Sequence, residues 1–258
     1  MTIKIEKTDL FHQALAGGIN LFLGAGFSLY ARDEEGQPLP GGDALTRELS
    51  EQFSVSPNMS LPQMSTILKV NRQEEFEEYL RARFRVGSYD KAYSALKTIA
   101  IYNIFTTNID NLINRIYEKG EDPDVVDFTQ HGPLVHEQGQ INYIPLHGSV
   151  NDDTRPLVFA STDLASTFGN DREAWELLRD SIQSTPTLFW GYSLQDAGVL
   201  HTLFSGQHDR HKPKWIVLKD PREEDIQYFK ALRFNIVEGD TLQLLHYFRK
   251  LASRSSVK

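Results

Sequence analysis

The feature that most constrains the fold is a series of short apolar runs separated by stretches long enough for a helix. They are INLFL (19–23), IYNIF (101–105), INYIPL (141–146), the apolar residues at 157–159, TLFW (187–190), WIVL (215–218) and FNIV (234–237). A strand with one wet face alternates apolar and polar residues, whereas a strand buried on both faces reads as an unbroken apolar run. These runs are therefore expected to be inner strands of a parallel sheet covered by helices. Helical patterns at 111–119, 172–182 and 240–252 accompany them, the last carrying Leu242, Leu244, Leu245, Phe248 and Leu251. The alternation gives the fold class as α/β, a Rossmann-like, doubly wound and mostly parallel sheet.

One region breaks the rhythm. The stretch between the first two runs is far longer than a crossover connection needs. Residues 43–53 and 73–84 within it read as helical, 91–100 lead into the second strand, and Pro38, Pro40, Pro57 and Pro62 punctuate the turns. The expected organisation is one domain over 1–258, with a Rossmann-like core (1–40 and 97–258) and a small helical insertion (41–96). Such an insertion forms one wall of a ligand cleft, or else merely decorates the fold. Its charged run, Glu74, Glu75, Glu77 and Glu78 followed by Arg81, Arg83 and Arg85, reads as a solvated helix face.

Composition narrows the chemistry. The 258 residues suit one large domain, and 40% hydrophobic with 24% charged residues is enough for a sizeable core. The chain has no cysteine, which excludes disulfides, a cysteine nucleophile, iron–sulfur clusters and a thiolate zinc site such as a zinc ribbon. A net charge of −8 argues against a surface built for direct nucleic-acid binding. No apolar run approaches the ~20 residues that span a bilayer, and the start MTIKIEKTDLFHQAL lacks a signal-peptide stretch. A cytoplasmic protein with no membrane partner is expected.

Four motifs follow four of the apolar runs. Gly24-Ala25-Gly26-Phe27-Ser28 has two glycines that let the chain turn tightly and bring backbone N–H groups against a phosphate. Leu29 stands where a dinucleotide fingerprint has its third glycine, and Asp43 reads as a helix N-cap rather than a ribose ligand, so the dehydrogenase version is disfavoured. Thr106-Thr107-Asn108-Ile109-Asp110 places polar groups at the carboxyl end of a central strand, where open α/β sheets bind ligands; Thr and Asn there also cap helices. Leu146-His147-Gly148-Ser149 supplies a histidine, the residue type suited to proton transfer near neutral pH. Gly191-Tyr192-Ser193-Leu194-Gln195-Asp196 is a further Gly/Ser turn. His131-Gly132 has no apolar strand before it. His208 and His211 lack a third-ligand pattern, so no metal is expected.

In order and spacing this quartet resembles the sirtuin-like superfamily, the silent-information-regulator fold that binds NAD. GAGFS is similar to its GAG-x-S loop, TTNID to its T-Q-N-I-D segment with Thr107 in the glutamine place, LHGS to its His-Gly, and GYSLQD to its late G-x-S segment. The resemblance implies that Gly24, Ala25, Gly26, Phe27 and Ser28 form the pyrophosphate and ribose loop. It implies that Asn108 and Asp110 surround the nicotinamide–ribose end, that Thr107 is a further cofactor-binding residue, that His147 is the catalytic base, and that Gly191 and Ser193 face the adenosine. Protein-deacylating sirtuins carry a four-cysteine zinc lobe and a G-I-P-D-F-R segment, and this chain has neither.

The pattern is closer to the prokaryotic sirtuin-like branch associated with anti-phage defence. Membership there implies hydrolysis of NAD to nicotinamide and ADP-ribose, with NAD as substrate and no metal. It also implies regulation through a homo-oligomer or a separate sensor or activator protein. Asn108 is then expected to position water or a ribose hydroxyl and His147 to accept a proton. For Asp110, orienting Asn108, contacting the nicotinamide amide and capping a helix all stay open. The alternatives are a non-catalytic module that senses NAD or an ADP-ribose derivative, and an NAD-dependent protein deacylase or ADP-ribosyltransferase.

Overall fold

A computed structural model describes residues 3–117, 123–128, 139–160, 163, 172–192 and 212–255. Its strands are β1 (Lys4–Ile5), β2 (Ile19–Leu23), β3 (Ala31–Asp33), β4 (Val86–Tyr89), β5 (Ile101–Thr106), β6 (Asp124–Asp127), β7 (Gln140–Pro145), β8 (Thr187–Trp190), β9 (Lys214–Leu218) and β10 (Phe234–Glu238). The α-helices are α1 (Thr8–Gly17), α2 (Gly42–Phe53), α3 (Leu61–Asn71), α4 (Gln73–Arg83), α5 (Leu112–Ile116), α6 (Arg172–Ser184), α7 (Glu223–Ala231) and α8 (Thr241–Ser255). None of the described helices is long and apolar enough to cross a membrane.

Eight strands form one sheet in the order β1-β10-β9-β8-β2-β5-β7-β6, and β3 pairs with β4 separately. β1 lies antiparallel to β10, and every other pairing in the large sheet is parallel. From β2 the chain passes to β5 at its side, goes on to the edge strand β6, comes back to β7 between β5 and β6, and then adds β8, β9 and β10 on the other side of β2. This reversal beside β2 is the switch point at which open α/β sheets open a crevice. All five residues of β2 are buried, as its unbroken apolar run predicts. Leu21 and Leu23 face a core with Phe11, Trp190, Trp215 and Phe248; Phe22 faces one with Phe105, Trp175, Leu178 and Phe229.

Residues 157–159 form no strand. Leu157 is buried instead among the side chains of α2, α3 and α4, and Val158 donates its N–H to the His147 carbonyl at 3.0 Å. An apolar triplet can be buried by packing alone, without a ladder partner. Asp43 is not the N-cap of α2: Gly41 holds that position and Asp43 sits in the first turn, where its carboxylate complements the helix dipole. The segment leading into the second strand is a 3-10 helix over Lys91–Thr98, whose Tyr93 and Leu96 join the core of the large sheet.

A buried amide chain crosses the sheet. Asn142 donates to Asn103 Oδ1 (2.7 Å), Asn103 donates to Asn20 Oδ1 (2.8 Å), and Asn20 donates to the Ser181 carbonyl (3.1 Å). One asparagine from each of β7, β5 and β2 thus satisfies the next, which a one-residue slip would undo. Asn103→Leu would orphan the Asn20 oxygen and the Asn142 amide. A buried group left unpaired costs about 1–3 kcal/mol, so urea unfolding is expected to show a clear loss of stability; an unchanged midpoint would deny the chain this role.

Candidate active site

Strand register aligns the motifs. Leu23 stands level with Thr106 on one side and Trp190 on the other, and Thr106 stands level with Pro145. The next residues, Gly24, Thr107, Leu146-His147 and Gly191, therefore leave four neighbouring strands at one edge of the sheet. Backbone bonds hold the loops together: Thr107 N–H to Leu23 O (3.2 Å), Leu146 N–H to Thr106 O (2.8 Å) and Val150 N–H to Ile109 O (2.8 Å). The segment bearing His147 is thus bound before and after the histidine to the segment bearing Asn108.

The glycines make a contact between loops. Gly24 donates its N–H to Trp190 O (3.0 Å), Gly26 to Gly191 O (2.8 Å) and Phe27 to Gly24 O (2.8 Å). Gly191 has φ +69°, and a Cβ there would lie 2.0 Å from the Phe27 nitrogen and 2.4 Å from the Gly26 carbonyl carbon. Three amides of the first loop are thus committed to protein carbonyls rather than turned to a phosphate, and the glycines are needed because two backbones nearly touch. Ala25 is exposed at the loop's tip. Phe27 is 1% exposed, its ring edge-on to Tyr93 and Trp190, so its side chain belongs to the core and not to a ligand surface. Ser193 lies outside the described residues, as do His131, His201, His208 and His211.

Beneath this contact runs a directed chain of side chains. The Asn108 amide nitrogen donates to Gly24 O and to Ser28 Oγ, both at 3.0 Å. Ser28 Oγ donates to Asp110 Oδ2 at 2.8 Å. Asp110 Oδ1 accepts the Leu112 N–H at 3.0 Å, at the start of α5. A carbonyl can only accept, so Gly24 fixes which end of the Asn108 amide faces the loop and turns its Oδ1 the other way. Asp110, one residue before the Asn111 N-cap, therefore both takes the first N–H of α5 and, through Ser28, orients Asn108. Thr106 completes the support by taking the Asn108 N–H on its hydroxyl at 2.9 Å. Thr106 was not among the expected site residues; its position as the last residue of an apolar strand was the available signal.

Burial holds the Asp110 carboxyl above its ordinary value of 3.8, against the opposing pull of its bonds with Ser28, Leu112 and Asn108. The native state thus binds this proton more tightly than the unfolded chain does. Between 3.8 and the raised native value, this group's contribution to stability falls as pH rises. Asp110→Asn is expected to remove that falling component, so that unfolding free energy rises more steeply with pH through the acid range than in the unaltered protein. Equal slopes in urea titrations of the two proteins would show that Asp110 is not the source.

His147 is buried, and Gly148 after it turns at φ +81°, with Pro156 O 2.7 Å from where a Cβ would stand. Helices α2, α3 and α4 pack beside this loop: Leu45, Leu49, Met64, Phe76 and Leu80 share a cluster with Ile109, Val150 and Leu157. The charged run of α4 is not wholly a solvated face. Arg83 is 14% exposed; it pairs with Asp33 (2.8 Å) and, through two nitrogens, with Glu48 (2.9 and 3.0 Å). It ties the β3–β4 pair to α2. Among the described residues no group of three or more His, Asp or Glu could hold a metal ion.

Residues 102–237 match the family model described as the SIR2-like domain. That span takes in TTNID, LHGS and Gly191 and begins after the GAGFS loop, whose placement rests on the register and contacts above. No curated protein matches the chain.

Proposed function

Because the chain belongs to the SIR2-like family, an NAD-dependent enzyme family, we propose that it hydrolyses NAD at the nicotinamide–ribose bond. The observation that carries this reading is the alignment of the four loops, with Asn108 held by Gly24 and Ser28 beside the His147 segment. The chemistry of these groups suits the substrate: an outward amide oxygen and an imidazole for hydroxyls and water, and a loop with an open tip at Ala25 for the pyrophosphate side. With no cysteine there is no thiolate zinc lobe to form a peptide groove, which favours water over an acyl-lysine as the acceptor.

In the reaction the bond between the nicotinamide nitrogen and ribose C1′ breaks, and its electron pair leaves with a neutral nicotinamide. Positive charge develops on the ribose as in other glycosyl transfers through oxocarbenium-like transition states. Water adds to C1′ and gives up a proton, which His147 accepts; Asn108 positions that water or a ribose hydroxyl. Ser28 and Asp110 hold Asn108 in place, and Thr107 and Gly191 form the neighbouring edges. The products are ADP-ribose, nicotinamide and a proton. The same reading makes the chain a regulated effector in prokaryotic defence, released by self-assembly or by a separate sensor protein.

Product analysis tests it. The protein, alone and with its native partner, is incubated with NAD and the mixture separated by chromatography. Nicotinamide and ADP-ribose appearing in equal amounts support hydrolysis. NAD recovered intact from a complex with the protein would point to the sensing module instead.

A further inference from the structure

Arg81 of α4 reaches the loop that follows β7. Its side chain is 17% exposed and its guanidinium faces a convergence of carbonyls: Nη1 donates to Ser149 O (3.4 Å) and Val150 O (3.5 Å), and Nη2 to Arg155 O (3.3 Å). Nη1 also lies 3.1 Å from Asp153 Oδ1. Each bond to a carbonyl is long, but a guanidinium keeps its charge and only donates, and these oxygens only accept. The arrangement fits a cation seated among carbonyl dipoles.

The loop's other anchors leave this position decisive. Its ends are closed by Gly148 N–H on Pro145 O (3.2 Å) and Val158 N–H on His147 O (3.0 Å). Val150 binds Ile109, and its side chain packs with Leu157 against Leu80, the residue before Arg81. The loop is thus gripped by α4 twice, through apolar packing and through the guanidinium. We propose that Arg81 is a positioning residue: it sets the His147 loop from helix α4, so that helices α2–α4 control the geometry of the site. The kinetic arm of the test rests on the hydrolase reading above; the exchange arm does not.

The exposed partner contributes little. Asp153 is 86% exposed, where water screens an ion pair, so Asp153→Ala is expected to behave as the unaltered protein. Arg81→Ala, followed by hydrogen–deuterium exchange, is expected to speed amide exchange at 148–157 at least tenfold while peptides from α4 and the sheet keep their protection. Misplacement of a reacting group by about 1 Å can cost on the order of 100-fold. The rate constant kcat for NAD is therefore expected to fall about 10- to 100-fold, with KM nearly unchanged. Millimolar guanidinium ion is expected to restore part of the Arg81→Ala rate, and Arg81→Lys to retain only part of it, since an ammonium cannot fork to three carbonyls.

Loop exchange in Arg81→Ala equal to that of the unaltered protein would overturn the proposal. So would a lost rate that follows a lowered melting temperature and a raised KM without rescue. Unaltered protein that releases no nicotinamide would sink the hydrolase reading while the exchange result still decides the role of Arg81.

Discussion

Gly191→Ala is expected to lose both NAD turnover and a large part of the protein's stability. The position has φ +69°, so alanine first meets the left-handed penalty of roughly 1–2 kcal/mol. The larger effect is contact, because the new methyl would stand 2.0 Å from the Phe27 nitrogen. That nitrogen cannot yield easily: the Phe27 carbonyl takes a hydrogen bond from Tyr93, and its ring is wedged between Tyr93 and Trp190. Relief requires the loops after β2 and β8 to part, breaking the 2.8 Å bond from Gly26 to Gly191. Together these terms amount to on the order of 3 kcal/mol or more, by the penalties for strained backbone and an orphaned amide. Gly36→Ala is the control. Gly36 has φ +81° with nothing within 4 Å of a Cβ, so only the backbone penalty of roughly 1–2 kcal/mol applies. Urea unfolding of the two variants side by side should separate them; equal losses would mean that the loop contact is unimportant.

His147→Ala and Asn108→Ala are each expected to cut NAD hydrolysis by about 10²–10⁴-fold, the usual worth of general-base assistance and of a group that positions the attacking water. Both should remain folded. Asn108 is half-buried and its loss removes two neutral hydrogen bonds, each worth about 1 kcal/mol. His147 lies in a loop whose ends are fixed by backbone bonds rather than by the imidazole. Circular dichroism and melting curves close to those of the unaltered protein, with nicotinamide release nearly abolished, are the expected pair of results. Full turnover by both variants would remove these residues from the mechanism.

Much of the sheet was legible because burial on both faces writes itself as a continuous apolar run. INLFL, IYNIF, TLFW, WIVL and FNIV all lie within strands, and INYIPL overruns its strand by only Leu146. Helix α3 was not legible, since Pro62 reads as turn punctuation. It lies in the helix's first turn, where its missing N–H costs nothing, and Ser60 N–H is capped by Gln63 at 3.0 Å. The two-residue β1 and the β3–β4 pair are too short to carry a period, and tertiary contacts alone decide them. Arg83 looked solvated because its partner Asp33 is remote in the chain and no local pattern names it. The glycines of GAGFS and GYSLQD were legible as turn formers. Their mutual contact was not, since only the register of β2 with β8 brings them together.

The central claim is that these aligned loops cleave NAD with water. Proton NMR of NAD in the presence of the protein and its native partner follows it directly, because the ring protons of nicotinamide shift when the ribose bond breaks. The account predicts that the signals of bound nicotinamide are replaced by those of the free base at the rate ADP-ribose appears, and that His147→Ala leaves NAD intact. Intact NAD with the unaltered protein, or undiminished cleavage by His147→Ala, would contradict it.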